Sequence, residues 1–167
     1  MNLFLKHTVL VILFLALSTS VSYAESSVKV GEPAPTFILL DENGKPQDIK
    51  DFIDKPTILY FTHNACHYCT QIIAHLKTAE IKFGKENLRI IGINVMAKDQ
   101  KLVRAYKDEL DFTFPMFAGN KWELLKAYQI NYVPLIVFVD AKRIVRKVVG
   151  HYIHDPELYE NIREIMQ

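Results

Sequence analysis

The sequence predicts an α/β fold in which a mixed central sheet is flanked by helices, and three observations lead there. Short apolar, β-branched runs alternate with amphipathic stretches of helical period, the pattern of parallel βαβ crossovers. Two further strand-like runs, residues 135–139 and 144–149, flank the polar tetrapeptide Asp140-Ala141-Lys142-Arg143 and close the sheet with an antiparallel hairpin. The only two cysteines of the chain, Cys66 and Cys69, stand three apart where a strand gives way to a helix.

Taken in order, residues 25–35 are polar, carry Pro33 and Pro35, and form a lead-in. Residues 37–40 are a short strand closed by Asp41-Glu42-Asn43-Gly44, a turn signal. Residues 57–62 are β-branched and aromatic, and too few for a helix. After Cys66, the residues Ile72, Ile73, Leu76, Ala79 and Phe83 recur at three and four, and Gly84 stops the helix. Residues 88–95 read as a buried strand. Asp99 caps a helix whose apolar face uses Leu102, Val103, Tyr106 and Leu110. Residues 112–117 are extended around Pro115, and Asn120 is placed to cap a short helix through Trp122, Leu125 and Tyr128. After the hairpin, Asp155-Pro156-Glu157 supplies a cap, a first-turn proline and an acidic first turn. The final helix turns Leu158, Ile162 and Ile165 inward.

The first 24 residues are read separately. Lys6 and His7 precede an apolar run over residues 9–17, and Ser22-Tyr23-Ala24 follows a small, polar stretch. That order is a secretory signal cleaved after Ala24, leaving one domain over residues 25–167. A retained membrane anchor is the other reading, but the apolar core is shorter than the roughly 20 residues a spanning helix needs. The full chain has 20 Lys and Arg against 19 Asp and Glu, and Lys6 is the one charged residue of the leader. The remaining domain is therefore neutral, with no electrostatic reason to bind nucleic acid. A periplasmic location follows from the leader. An exported domain of this size needs no disulfide for stability, so the two cysteines are kept for chemistry.

The chemistry comes from where the cysteines sit. The first turn of a helix carries partial positive charge and unpaired N–H groups, which favour thiolate over thiol. Residues three apart on a helix are neighbours, so one thiol can attack a disulfide formed by the other. A protonated His67 beside Cys66 would stabilise its thiolate and make the pair more oxidising.

With these motifs placed, the chain resembles the thioredoxin superfamily, and within it the extracytoplasmic branch of the TlpA/ResA type. The resemblance rests on Gly31-Glu32-Pro33-Ala34-Pro35-Thr36-Phe37, the turn at Asp41-Glu42-Asn43-Gly44-Lys45, and Cys66-His67-Tyr68-Cys69 after its strand. It continues with Tyr132-Val133-Pro134 before a strand and Val149-Gly150 after the hairpin. It implies a thioredoxin-like fold with an N-terminal β extension and an extra βα insert between Cys66 and Pro134. It implies a thiol–disulfide oxidoreductase in which Cys66 attacks, Cys69 resolves, and the two form a redox-active disulfide. Pro134 is then a cis-proline against the active site, leaving the backbone of Val133 to pair with an extended substrate segment. Tyr68 stands where glutaredoxins and bacterial disulfide isomerases also carry tyrosine. No cofactor is implied. The partners are protein thiols and disulfides, with an inner-membrane electron donor resetting the pair, and the protein acts as a monomer.

The chain also departs from that pattern. Ala65 replaces the aromatic residue common before the first cysteine. Tyr60 stands where thioredoxins bury an acid, and Ile72 stands where the branch often has a glutamate. His63 and His67 are then the nearest titratable replacements. His75, inside the helical run, reads as packed or solvated. Two other function classes remain open here. His63, Cys66 and Cys69 are soft ligands suited to a Cu(I) or Zn carrier, and a redox-inactive binding domain on this fold would tolerate the missing acid. A peroxidase of the peroxiredoxin type needs a threonine three residues before its cysteine, whereas Thr62 is four before Cys66.

Overall fold

The computed structural model describes residues 27–167, so the leader and the cleavage after Ala24 lie outside the described residues. Seven strands form one sheet in the order β2-β1-β5-β4-β3-β6-β7. They are β1 (Ile38–Leu40), β2 (Pro46–Asp48), β3 (Thr57–Thr62), β4 (Arg89–Asn94), β5 (Met116–Ala118), β6 (Leu135–Val139) and β7 (Val145–Val149). The helices are α1 (His67–Phe83), α2 (Gln100–Leu110), α3 (Trp122–Ala127) and α4 (Asp155–Ile165), with a 3-10 turn at Ile49–Phe52. Strands β3, β4 and β5 are mutually parallel, joined through α1 and α2. The pairs β3–β6, β6–β7, β1–β5 and β1–β2 are antiparallel.

The two-residue period of the strands divides the core. Ile58 and Tyr60 of β3, Ile90 of β4, and Ile136 and Phe138 of β6 face α1, α2 and α4. Leu59 and Phe61, Ile91 and Ile93, and Val137 and Val139 face α3, the 3-10 turn and the N-terminal segment. Central strands buried on both faces must be apolar throughout, and β3 is buried at all six positions.

Several expectations are corrected. Strand β2 has no sequence signal of its own; it pairs with β1 because Gly44 turns at φ 79° and Asp41 Oδ1 accepts from the N–H groups of Asn43 and Lys45. Asn120 does not cap α3; Lys121 occupies that place without a side-chain bond, and Asn120 Nδ2 donates to the Met96 carbonyl. The inward residues of α3 are Leu124 and Ala127, while Trp122 points outward. His154, not Asp155, is the cap residue of α4, with Pro156 in the first turn. Leu102 leaves the apolar face of α2 and is exposed. Asp99 does cap α2, accepting from the Lys101 N–H at 2.9 Å.

Candidate active site

Strand β3 ends at Thr62, and β6 begins opposite it, with Leu135 paired to Phe61. This antiparallel register brings residues 63–66 beside Val133 and Pro134, although Cys66 and Val133 are 67 residues apart in sequence. Cys66 is the N-cap residue of α1, with extended backbone, and its Sγ accepts from the Cys69 N–H at 3.2 Å. The two cysteines form a disulfide with Cα atoms 5.2 Å apart. Their environments differ: Cys66 is 9% exposed and Cys69 0%. An incoming sulfur therefore meets Cys66 first. The free N–H groups of the first helical turn favour its thiolate, both as attacking and as leaving group.

The Val133–Pro134 peptide is cis, and the Val133 carbonyl oxygen is 3.7 Å from Cys66 Sγ. Pro134 is buried and Val133 half-buried. His63 is half-buried, and its Nδ1 accepts from the Ala65 N–H at 3.1 Å. His67 is exposed, its Nε2 lying 3.2 Å from Gln71 Nε2, and Tyr68 is exposed beside it. The carrier ligand set of His63, Cys66 and Cys69 is not assembled. The sulfurs are bonded to each other, and among the described residues no three His, Cys, Asp or Glu side chains converge on a common point.

Beneath the pair, the fully buried Tyr60 hydroxyl donates to the Cys69 carbonyl at 2.7 Å. Burial pushes this phenol well above the usual tyrosine range, with Tyr106 adding to the effect, so it is a fixed donor and never a base at neutral pH. Thr62 is fully buried, and its Oγ1 lies 2.8 Å from the Tyr106 hydroxyl in the same layer.

Sequence reasoning did not identify Asn94. It closes a strand that is apolar from Ile90 to Ile93, and it is 0% exposed. Its Nδ2 donates to Asn64 Oδ1 at 2.7 Å, and its Oδ1 accepts from the N–H groups of Met96 and Ala97. It ties the loop before Cys66 to the turn after β4. A polar residue closing an apolar strand is the signal that could have found it. Two shallow apolar depressions share His63 as a wall. One, of about 350 Å³, runs past Ala65 to Met96 and Leu102. The other, of about 260 Å³, reaches Tyr132 and Val133.

A model of the AhpC/TSA family matches residues 30–148. The chain is 25% identical over 152 residues to the thiol-disulfide oxidoreductase ResA of Bacillus subtilis, covering 89% of this chain and 84% of that protein. Against the ResA of Geobacillus thermodenitrificans it is 23% identical over 163 residues, covering 95% and 93%. Among solved structures, a thiol:disulfide interchange protein of Chlorobium tepidum superposes with TM-score 0.70 at 19% identity, over 85% of this chain and all of that one. Another from a Bacteroides species gives 0.71 at 19%, over 83% and 91%. At these identities the superpositions speak for the fold.

Proposed function

The chain belongs to the AhpC/TSA family, and we propose that it is a thiol–disulfide oxidoreductase of protein substrates whose working couple is Cys66 and Cys69. One observation carries this reading: two bonded sulfurs in the first turn of one helix, the N-cap Cys66 keeping slight exposure and Cys69 wholly buried.

In the reducing direction the Cys66 thiolate attacks one sulfur of a substrate disulfide. A mixed disulfide forms, and the other substrate sulfur leaves as a thiolate that takes up a proton. Cys69 then loses its proton and attacks Cys66 Sγ. The Cys66–Cys69 bond forms, the second substrate sulfur leaves, and two electrons have passed to the substrate. The oxidising direction runs the same steps backwards, and the potential of the pair against its partners sets which prevails.

The substrate segment lies along residues 132–134, pairing with the backbone of Val133 while Pro134, lacking an N–H, closes the site. Tyr68 and the depressions beside His63 receive its flanking side chains. Protons leaving or reaching the sulfurs pass through His63 and His67, the imidazoles nearest Cys66 in sequence. Because the resolving thiol lies in the same helical turn, a single protomer completes the cycle. The signal-like pattern of residues 1–24 supports placing the reaction in the periplasm. There a dithiol carrier of the inner membrane would reset the pair.

A Cys69→Ser protein tests this. It traps substrates as covalent complexes that dithiothreitol releases. If it yields only non-covalent partners while disulfide turnover stays at the wild-type level, the mechanism is wrong.

A further inference from the structure

Helix α1 carries His67, Tyr68, Gln71 and His75 along one stripe, since positions three, four, seven and eight apart share a helical face. The far end of that stripe is tied to the segment between β7 and α4 by a hydrogen-bonded chain that the sulfur chemistry does not use. Asp155 Oδ1 lies 2.6 Å from His75 Nδ1, and the Tyr152 hydroxyl lies 2.8 Å from His75 Nε2. The Tyr152 ring meets Tyr68 at 5.9 Å and stands edge-on to His154 at 4.7 Å. His75 is half-buried with both ring nitrogens engaged. In the neutral imidazole Nδ1–H donates to the carboxylate and Nε2 accepts from the phenol, so ring orientation is fixed at both ends.

That bracket matters because of what it holds. Tyr152 belongs to an irregular connection, where a side chain stays in place only through tertiary bonds. Tyr68 is 59% exposed on the first turn of α1, between the two cysteines. In the strand order β4-β3-β6-β7, Met96 follows β4, Cys66 follows β3 and Tyr152 follows β7. The aromatic pair and the Met96 depression therefore flank Cys66 on opposite sides.

We propose that His75 is a positioning residue. By holding Tyr152 against Tyr68 it builds an aromatic wall on the α4 side of Cys66, against which the apolar residues flanking a substrate cysteine pack. This rests on the oxidoreductase reading above. Rigid aromatic surfaces suit that role because they offer large contact area with few rotamers to immobilise.

Steady-state insulin reduction and the reaction with the small disulfide DTNB test it in wild type, His75→Leu, Tyr152→Phe and Asp155→Asn. His75→Leu raises the insulin KM about tenfold with kcat within about twofold, matching the loss of one to two hydrogen bonds. Its DTNB rate and its equilibrium with glutathione stay at wild-type values, because a small disulfide brings no flanking protein residues to pack on the wall. Tyr152→Phe, which keeps the ring and loses one oxygen, raises the insulin KM about fivefold. Asp155→Asn retains an acceptor for Nδ1–H and stays close to wild type. If His75→Leu fails to fold, Tyr152→Phe decides by the same criterion. An unmoved insulin KM in an active enzyme overturns the proposal, and so does a parallel fall in the DTNB rate, which would make the bracket merely structural. Reduced wild type that is inert to DTNB overturns the oxidoreductase reading itself, and this proposal with it.

Discussion

Cys66 and Cys69 share one helical turn, yet only Cys66 keeps any exposure, 9% against 0%. In the reduced protein iodoacetamide should therefore modify Cys66 at least about ten times faster than Cys69, read by mass spectrometry of quenched samples. Equal rates would remove the basis for assigning attack to Cys66. Tyr60 makes a second residue-level prediction. Tyr60→Phe leaves the Cys69 carbonyl without its 2.7 Å donor and should lower stability by about 1 kcal/mol in denaturant melts. Because the phenol is no base, the pH profile of disulfide exchange should keep its shape; a new inflection would show that Tyr60 does handle a proton.

The β6–β7 hairpin shows how a single carboxylate organises an element. Asp140 Oδ1 accepts from the Lys142 and Ile144 N–H groups, and Oδ2 from Arg146 Nε at 2.8 Å, around an Arg143 held at φ 66°. Burial alone would raise the Asp140 pKa, but these donors outweigh it and hold it below the usual 3.8. A depressed folded pKa means that this stabilisation is complete above 3.8 and fades as pH falls through the folded value. Asp140→Asn should cost about 1 kcal/mol at neutral pH, and the difference from wild type should shrink in acid. Denaturant midpoints measured across pH check both. The elements that the sequence announced, β3, α1, β4, β6 and α4, have clear apolar periods, and their burial follows from period alone. Strand β2 was illegible because Pro46, Gln47 and Asp48 carry no apolar period, and their pairing is imposed by the turn at Gly44. The outward turn of Leu102 was illegible because a one-residue choice of helical face depends on packing across the molecule. In the site, the cysteines and Pro134 were legible as local motifs. The His75–Tyr152–Asp155 chain was not, since its members lie 77 and 80 residues apart and meet only through the fold.

For the molecule as a whole, the sheet separates two apolar layers, and the turn that carries Cys66 sits at the sheet end where β3, β4 and β7 finish and β6 begins. None of the described helices is long and apolar enough to cross a membrane. From the signal-like pattern of residues 1–24, expression in a Gram-negative host should give a periplasmic protein beginning at Glu25, with intact mass as the readout. A product keeping residues 1–24 would contradict the export reading. The measurement closest to the central claim is equilibration of the purified protein across glutathione ratios, with thiols counted after acid quenching. The expected result is one reversible transition in which both thiols disappear together, with the two-electron slope of about 30 mV per decade. Sulfurs that never interconvert as a pair, at any ratio, would contradict it.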